Sequence, residues 1–350
     1  MSSRQLGVIE RINIEIQPKG GGTPMLRIPS PPRGGMITLR EGRTSDAKFT
    51  LPPKGIVAPG FQVQSSVQPV VPWATEGAIY VNGHEMLTGP VVDTKGGVIE
   101  VNDFSAWWKR RDTVAHSIDS DDPVRIFRTV HDAGMAEDDS PNFGVQIQGS
   151  GLTWRFESEL EDYTQLYDSL DSIRNSGISW IARQRSIYVR GPIVPVEQFT
   201  LEDKHFVGAP IRHHVGKVQA NFVRMIGGND ENGNPIIVEV RDGWSIARFG
   251  LLKRTFRDSK LLSETAVRQA AKTRLANLKF PVRLSIPQGA GLAPSAPIPL
   301  SELVPRTIVK VTTSVDGRKV AGLFRISVVK ISMDGQVSVD FDPVAEDGEG

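Results

Sequence analysis

Alternation between apolar and polar residues is the first pattern along the chain, and it predicts β-strands. Residues 11–16 alternate between isoleucine and polar positions, which is the period of a half-buried strand. Residues 78–81 are followed by Asn82-Gly83, a pair that supplies the positive φ angles of a two-residue hairpin turn. The N-terminal part of the chain is therefore expected to consist of strands joined by tight turns.

The strand pattern returns in the second half of the chain. Five segments carry it: residues 220–226, 236–240, 308–312, 321–333 and 336–341. Turns are predicted at Asp242-Gly243 and Asp334-Gly335. The apolar phase shifts between Val328 and Val329, which indicates either a β-bulge or local burial of both faces of the strand. The last segment has one apolar and one polar face, as expected for a strand with one side in water.

Other segments have the spacing of amphipathic helices. One begins at Asp122-Pro123, where an N-cap carboxylate precedes a proline at the first helical position. A longer helix is predicted over residues 159–175, and a third after Ser263, with alanines in its buried stripe. Residues 178–189 predict a hairpin, so the second helix is expected to pack against it.

Together these elements predict a mainly β (α+β) fold, with β-barrel modules and a small helix-containing mixed domain. Proline-rich residues 23–73 favour sheet edges and loops, and we expect an exposed insertion there. We expect this division of the chain: a β-barrel-like domain with the proline-rich insertion at 1–112, a mixed α/β domain at 113–200, a second β module at 201–258, a helix with C-terminal β-barrel strands at 259–343, and an acidic tail at 344–350.

The charge, the cysteine content and the apolar runs of the chain limit the classes of function that it can have. The chain has 350 residues with 41 basic and 40 acidic side chains, so neither stable nucleic-acid binding nor membrane insertion is expected from charge. Cysteine is absent, which excludes disulfides and thiolate metal sites. Residues 1–10 lack the apolar run of a signal peptide, and no stretch approaches the roughly 20 apolar residues that span a bilayer. We expect synthesis in the cytoplasm.

No grouping of residues predicts catalysis, a cofactor or a metal. His213 and His214, with His205 nearby, are the best metal candidates, but adjacent histidines on a strand point to opposite faces and no carboxylate stands at ligand spacing. Helix capping explains the acidic run at residues 119–122 better than calcium does. Residues 149–151 lack the pattern of a nucleophile elbow and predict a turn. No catalytic or metal residue is predicted, and no cofactor is expected.

The segment Trp107-Trp108-Lys109-Arg110-Arg111 combines aromatic and basic residues. Such a mixture is typical of nucleic-acid or membrane patches, but also of core or subunit-interface tryptophans beside an arginine that pairs with a neighbour, and we favour the structural role. On an extended segment the two indoles point to opposite faces, so one is expected in the core and the other against a neighbouring module or subunit. Trp107, Trp108, Arg110 and Arg111 are the candidate interface residues.

Three sequence motifs follow one another along the chain in an order that can be compared with a known family. Residues 81–90 form a predicted strand that ends in Gly-Pro, residues 103–111 combine an acidic residue, tryptophan and arginine, and Leu303-Val304-Pro305 precedes the last strands. This order resembles the tail hub, or gp27-like baseplate hub, family (minor tail proteins) of long-tailed phages, in particular those of actinobacterial hosts. In that family a glycine commonly follows the last proline, where this chain has Arg306.

The resemblance covers about residues 75–343 and implies a place in the virion. Family members are scaffolds without catalysis that form a homotrimeric ring at the tail tip, around the channel through which the genome is ejected. The implied partners are further copies of the chain, the distal tail protein, the tape measure protein, and the central fibre or spike or other minor tail proteins. Host cell attachment and genome ejection are the implied processes.

Three alternative functions have recognisable requirements. A distal tail adaptor would form a sixfold ring. A receptor- or carbohydrate-binding tail module would need exposed aromatic residues on a flat sheet, for which Trp73, Tyr80 and Trp244 are available. A tail-associated cell-wall hydrolase would need a pair of carboxylates in a groove. The acidic residues within 157–162 supply carboxylates, but at the predicted start of a helix, where acidic residues are expected without catalysis.

Overall fold

A computed structural model gives the fold. It describes residues 5–29, 34–50, 62–63, 70–136, 143–158, 164–191, 196–208, 211–214, 219–230, 232–279, 282–285, 291–315 and 318–344. Strands dominate, with a smaller helix-containing part, so the predicted mainly β (α+β) fold is confirmed. No helix among these residues is both long and apolar enough to cross a bilayer.

The strands are numbered in chain order. They are β1 Ile12–Pro18, β2 Leu26–Pro29, β3 Met36–Arg40, β4 Asp46–Thr50, β5 Gln62–Val63, β6 Thr75–Val81, β7 His84–Asp93, β8 Val98–Asn102, β9 His116–Asp121, β10 Gly144–Gln148, β11 Trp154–Ser158, β12 Ser179–Arg183, β13 Ser186–Arg190, β14 Phe199–Glu202, β15 Phe206–Val207, β16 Ile211–His214, β17 Phe222–Asn229, β18 Pro235–Arg241, β19 Lys253–Arg257, β20 Val282–Ser285, β21 Gly291–Leu292, β22 Ile308–Val315, β23 Arg318–Ser332 and β24 Val337–Pro343.

The described helices are fewer than the strands. The α-helices are α1 Pro123–Gly134, α2 Leu166–Ile173, α3 Gly243–Phe249 and α4 Glu264–Lys279. Short 3₁₀ segments lie at Lys95–Gly97, Phe104–Arg110, Arg174–Ser176, Asp203–His205 and Leu300–Glu302.

Local sequence signals formed as predicted where the stabilising group is close in sequence. Asn82 and Gly83, both with positive φ, connect β6 to β7. The Asp122 carboxylate caps α1 by accepting a hydrogen bond from the backbone N of Val124 at 3.0 Å. The Ser263 hydroxyl caps α4 by accepting from the backbone N of Ala266 at 3.2 Å. The hairpins β12–β13 and β17–β18 and the three C-terminal strands are also present.

One predicted helix start and one predicted turn were wrong. The second helix begins at Leu166 rather than near residue 159, because the backbone just before it pairs elsewhere: the carbonyl of Thr164 accepts from the N of Thr113 at 2.9 Å. Residues 159–163 lie outside the described part. Asp242-Gly243 is not a simple turn, because the Asp242 carboxylate accepts from the N of Ser245 at 2.8 Å and so caps α3.

The predicted β-bulge is present in β23, with the shift in register between Ile326 and Val328. It lies next to the predicted position.

One large sheet joins the two ends of the chain. Its order is β16-β20-β24-β23-β3-β4-β8-β7-β6-β1-β2-β5, with β22 on β23 and β14 parallel to β22. The long strand β7 pairs with β6 along most of its length and with β8 at its end, so it connects two halves of this sheet. Strands from the first and last parts of the sequence, β3 and β23, are direct neighbours.

The expectation of an exposed insertion at residues 23–73 was wrong for its middle part. β3 and β4 lie inside the large sheet, between β23 and β8, and Ile37 and Phe49 are buried. Residues 36–50 contain no proline and so can pair on both sides, whereas the prolines flank this stretch. Residues 30–33, 51–61 and 64–69 lie outside the described part.

The buried apolar residues form two clusters. The sheet core contains the inward faces of strands from both ends of the chain, including the isoleucines of β1 and Val337, Val339 and Phe341 of β24. The mixed core lies between α1, α2, α4 and the smaller sheets β10-β13-β12, β9-β11 and β18-β17-β19. The predicted division into consecutive domains stays a prediction.

Candidate assembly site

The tryptophan pair lies on a 3₁₀ helix, so the prediction of an extended segment was wrong. The carboxylate of Asp103 caps this helix by accepting from the backbone N of Ser105 at 2.9 Å. Its other oxygen accepts from the backbone N of Ser45 at 2.5 Å. Burial raises the pKa of Asp103, and these hydrogen bonds oppose that effect. Ser45 is 58 residues earlier, so no local spacing announces this cap.

Both indoles belong to the mixed core, although only one was expected to be deeply buried. Trp107 is 9% exposed and Trp108 is 1% exposed. The Trp108 ring packs edge-on against Trp180 at a centroid distance of 4.9 Å and against Phe127 at 5.7 Å. Trp107 packs edge-on against Trp73 at 4.9 Å. A helical turn places both side chains on the covered side, because successive residues no longer alternate by half a turn.

The basic residues of the segment lie outside this core. Arg110 is exposed, and its guanidinium lies 5.0 Å from the Trp73 ring centroid. The exposed Lys109 ammonium lies 4.8 Å from the Tyr167 ring centroid. Arg111 is half-buried, and its carbonyl accepts from the N of Leu166 at the start of α2. Of the four candidate interface residues, Arg110 is thus the most accessible. Their role at a subunit interface stays a prediction.

A first buried ion pair joins the sheet core to the hairpin β12–β13. Glu76 of β6 is 2% exposed and pairs with Arg185, which lies in the hairpin turn. The Glu76 carboxylate also accepts from the backbone N of Gly20 at 3.0 Å. The Arg185 guanidinium stacks on the Phe104 ring at 4.7 Å. Because a buried carboxylate needs such partners, this contact fixes the hairpin on the sheet.

A second buried ion pair also joins the sheet core to the β12–β13 hairpin, at the end of the hairpin opposite its turn. Glu41 follows β3 and is 7% exposed; Arg306 precedes β22 and is 6% exposed, with its Nε 3.7 Å from the Glu41 carboxylate. Arg306 donates to the carbonyl oxygens of Ser179 at 3.2 Å and Gly191 at 3.3 Å. Ser179 is the first residue of the β12–β13 hairpin and Gly191 directly follows its last one. Burial lowers the pKa of Arg306 to about 10, against the opposing effect of Glu41, so it is charged at neutral pH.

Together, Glu41, Glu76, Arg185 and Arg306 form what we call the core junction. It connects the sheet core and the mixed core through charged groups rather than through a flexible linker. Sequence analysis did not find it, because Glu76 and Arg185 are 109 residues apart. One signal for the core junction was available in the sequence: Arg306 stands where glycine is common in the tail hub family that the chain resembles. The φ of Arg306 is +80°, a conformation that glycine adopts without strain.

The histidines and acidic residues considered for chemistry are separate. His205 is buried, and its Nδ1 accepts from the backbone N of Glu202 at 3.0 Å. His213 and His214 lie on β16, whose side chains are outside the described part. Glu157 lies in β11, not at a helix start, and pairs with Arg155 at 3.1 Å. In the described ranges no three His, Asp or Glu side chains are grouped as metal ligands.

A cleft of about 330 Å³ lies between the β6–β7 turn and the β12–β13 hairpin. Arg40, His84, Glu85 and Arg183 line it. Among its described lining residues, Glu85 is the one carboxylate, and it accepts a hydrogen bond from the Thr88 hydroxyl at 2.5 Å. The cleft therefore lacks the carboxylate pair that glycoside hydrolysis requires.

Comparison with known proteins gives a fold. No protein-family model and no curated protein sequence matches the chain. The tail protein from Neisseria meningitidis, a solved structure, is 12% identical, with a TM-score of 0.62 over 96% of this chain and 97% of that one. The 43 kDa tail protein of prophage MuSo2 from Shewanella oneidensis is also 12% identical, with a TM-score of 0.62 over 96% and 98%. The chain has a phage tail hub-like fold.

The tail hub-like fold also occurs in secretion systems. The E. coli c3393 protein, a component of the type VI secretion system with structural similarity to the T4 bacteriophage tail proteins gp27 and gp5, is 9% identical. Its TM-score is 0.52 over 95% of this chain and 77% of that one. At such low identities, the similarity establishes the fold of this chain and leaves its function to be inferred.

Proposed function

We propose that this chain is a structural, non-enzymatic subunit of a phage tail tip. In this proposal it is a baseplate hub: a homotrimeric ring that connects the tail tube and distal tail ring to the central fibre or spike, around the channel through which DNA leaves. The observation that carries the proposal is the end-to-end match to tail proteins, at TM-scores of 0.62 with nearly full coverage of both chains.

The core junction supports a scaffold role. A ring that transmits force along the tail needs its parts held at fixed positions. Buried ion pairs fit that need, because breaking one partner of such a pair is costly, on the order of 3–5 kcal/mol. Two carboxylates considered for chemistry have structural roles: Asp122 caps α1, and Glu157 pairs with Arg155. We therefore infer no catalytic role.

The partners and the host belong to the same proposal. We infer contacts with the distal tail protein, the tape measure protein and the central fibre or spike, a place in the virion, and roles in host attachment and genome ejection. The resemblance of the motifs favours an actinobacterial host. We also propose that residues 1–112, 113–200, 201–258 and 259–343 behave as successive domains, followed by the acidic segment 344–350.

Locating the chain in virions tests this proposal. An epitope-tagged chain that complements a phage deleted for the gene should bind gold-labelled antibody at the tail end opposite the capsid. Particles made without the chain should lack tips. Label along the tube or on the capsid would contradict the proposal. Cleavage of purified cell walls or glycans by the purified chain would favour the hydrolase alternative.

A further inference from the structure

Two smaller sheets of the mixed core form one extended layer. β17 pairs with β18 on one side and β19 on the other. The segment after β19 bridges β17 and β11. The carbonyl of Leu261 accepts from the N of Gly228 in β17 at 2.9 Å, and the carbonyl of Lys260 accepts from the N of Arg155 in β11 at 2.9 Å. β11 in turn pairs with β9. The order across the layer is therefore β18, β17, β19 with residues 258–261, β11 and β9.

The two parts of this layer differ in charge. Among the described residues, 222–279 contain 11 Lys and Arg against 5 Asp and Glu, whereas 113–173 contain 7 Asp and Glu against 3 Lys and Arg. The net charge of the whole chain is only +1, so this difference is hidden in the total. We call the exposed basic surface at the edge where β18 ends and β19 begins the basic end, and the exposed acidic surface of β9 and β11 the acidic end.

The basic end also exposes large apolar side chains. We define it by Arg241, Trp244, Arg248, Leu251 and Lys253, all exposed. Trp244 is 60% exposed and Leu251 is 61% exposed, and the Arg248 guanidinium lies 5.2 Å from the Trp244 ring centroid. Arg241 and Lys253 flank the same position of β17 on its two neighbouring strands. Exposed aromatic and arginine residues of this kind are typical of the centres of protein interfaces.

The acidic end offers the complementary surface. We define it by Asp119 and Asp121 of β9 and Glu157 of β11. Asp119 is 89% exposed, and the Glu157 side chain is 52% exposed. Arg155 lies between them, 3.1 Å from Glu157 and 3.9 Å from Asp119. In the described part of the chain, β9 has no strand partner besides β11, and β18 has none besides β17.

We propose that the basic end of one copy docks against the acidic end of the next copy, head to tail. The inference rests on the proposed ring and assigns it a contact surface. Two unlike surfaces on one chain give a heterologous contact, which closes into a ring when the rotation between copies allows it. Trp244 and Leu251 become buried at the centre of this contact, and the charges around them select the head-to-tail orientation.

Charge reversal in the full-length chain tests the contact, with native mass spectrometry and sedimentation at low salt as readouts. The variant R241E/K253E and the variant D119K/E157K should each assemble at concentrations at least about tenfold higher than the unmodified chain, because like charges then face each other. The combined four-substitution variant restores opposite charges and should recover the trimer. The matched control is R268E/K272E, which makes the same change in net charge on exposed positions of α4.

The outcomes separate this inference from the proposed function. Recovery of the trimer in the combined variant, with an unaffected control, supports the contact. A trimer that R241E/K253E leaves unchanged overturns the contact and leaves the ring standing. A loss of single-stranded DNA binding in R241E/K253E without loss of the trimer would assign the basic end to nucleic acid and also overturn it. An unmodified chain that stays monomeric at every concentration would contradict the ring itself.

Discussion

Trp108 is the aromatic residue with the largest number of ring neighbours in the mixed core. Its indole packs against Trp180, Phe127 and His131, which come from a strand and from α1. The candidate interface residue is thus held by its own chain. We expect any contact of this segment with another subunit to involve the exposed Arg110 rather than Trp108.

Truncation of Trp108 should therefore destabilise the isolated chain. Trp108→Ala is expected to lower the free energy of unfolding by about 3–5 kcal/mol, because it leaves a large cavity between three aromatic rings. Urea unfolding followed by circular dichroism measures this. Arg110→Gln is the control and should change the value by less than about 1 kcal/mol, since Arg110 is exposed. A Trp108→Ala variant as stable as the control would show that the indole is not a core residue.

Arg306 combines two opposing effects at one position. Its φ of +80° is unfavourable for a residue with a side chain, yet its buried guanidinium serves Glu41 and two carbonyls. Replacement by glycine relieves backbone strain of about 1–3 kcal/mol. It also removes the hydrogen bonds to two hairpin carbonyls and one of the two arginines, Arg306 and Arg325, that pair with Glu41. We expect the lost contacts to outweigh the relieved strain, because a buried acceptor left without its partner costs about 1–3 kcal/mol.

The double-mutant cycle of Glu41 and Arg306 tests this balance. Arg306→Gly should destabilise the chain, and the cost should be smaller when Glu41 is already Gln, because the Coulomb attraction between the two side chains is then absent. Glu41 keeps Arg325 as an ion-pair partner at 3.1 Å, so Arg306→Gly does not leave its carboxylate unpaired. Urea unfolding of the two single variants and the double variant gives the coupling. Strictly additive effects would contradict the proposed pair.

Glu76, Arg185 and Ser45 show why the site was harder to predict than the strands. Each of these residues acts on a partner far away in sequence: Arg185 on Glu76 across 109 residues, and Ser45 on Asp103 across 58. Periodicity and local turn chemistry contain no information about such pairs. The sequence suggested Trp107 and Trp108 as important, but not the 3₁₀ turn that places both in the core.

At the scale of elements, α1 depends on a carboxylate with several partners. Asp122 accepts hydrogen bonds from Val124 at the helix start and from the backbone and hydroxyl of Ser150. Burial by itself raises its pKa, but the hydrogen bonds, with that from the Ser150 hydroxyl the largest, outweigh it and hold the pKa of Asp122 below the ordinary value. Asp122 thus joins the helix to the turn at residues 149–151.

The contribution of Asp122 should depend on pH. Because its pKa is lower in the folded state, its stabilisation is present above the unfolded pKa of about 3.9 and is lost as the pH falls through the folded value. Asp122→Ala should cost about 1–2 kcal/mol at pH 7 and less at pH 3. Unfolding at both pH values measures this, with Asp119→Ala as an exposed control. An equal cost at both values would contradict the role of the charge.

The Gly-Pro motif at residues 89–90 has a steric explanation. A Cβ on Gly89 would overlap the carbonyl oxygen of Asn102 and the backbone of Asp103, where β7 approaches β8. Gly89→Ala should therefore lower the free energy of unfolding by about 1–3 kcal/mol or prevent folding. Gly144→Ala is the control, since no atom lies within 4 Å of the added Cβ. Equal stability of the two variants would contradict this close approach.

Elements were predictable where their determinants are local. The strand at residues 11–16, the Asn82-Gly83 turn and the caps Asp122 and Ser263 all follow from neighbouring residues. α2 starts later than predicted because residues 164–165 pair with residues 112–113, which lie some fifty positions earlier. The parallel pairing of β14 with β22 likewise has no local signal.

At the scale of the whole molecule, two cores are joined by buried ion pairs. The large sheet unites strands from both ends of the chain, and the core junction fixes the mixed core against it. The sequence indicated the mainly β class and the order of motifs. The arrangement of strands within the sheet became visible only in three dimensions, as did the exposed basic surface formed by β18, α3 and β19.

We propose that this chain forms a threefold ring at the tail tip. A cryo-electron microscopy reconstruction of intact virions, computed at the tail tip without imposed symmetry, tests it most directly. We predict three copies of this fold around the channel, between the distal tail ring and the central fibre or spike. A ring of six copies would identify a distal tail adaptor instead, and a map with this fold absent from the tip would contradict the account.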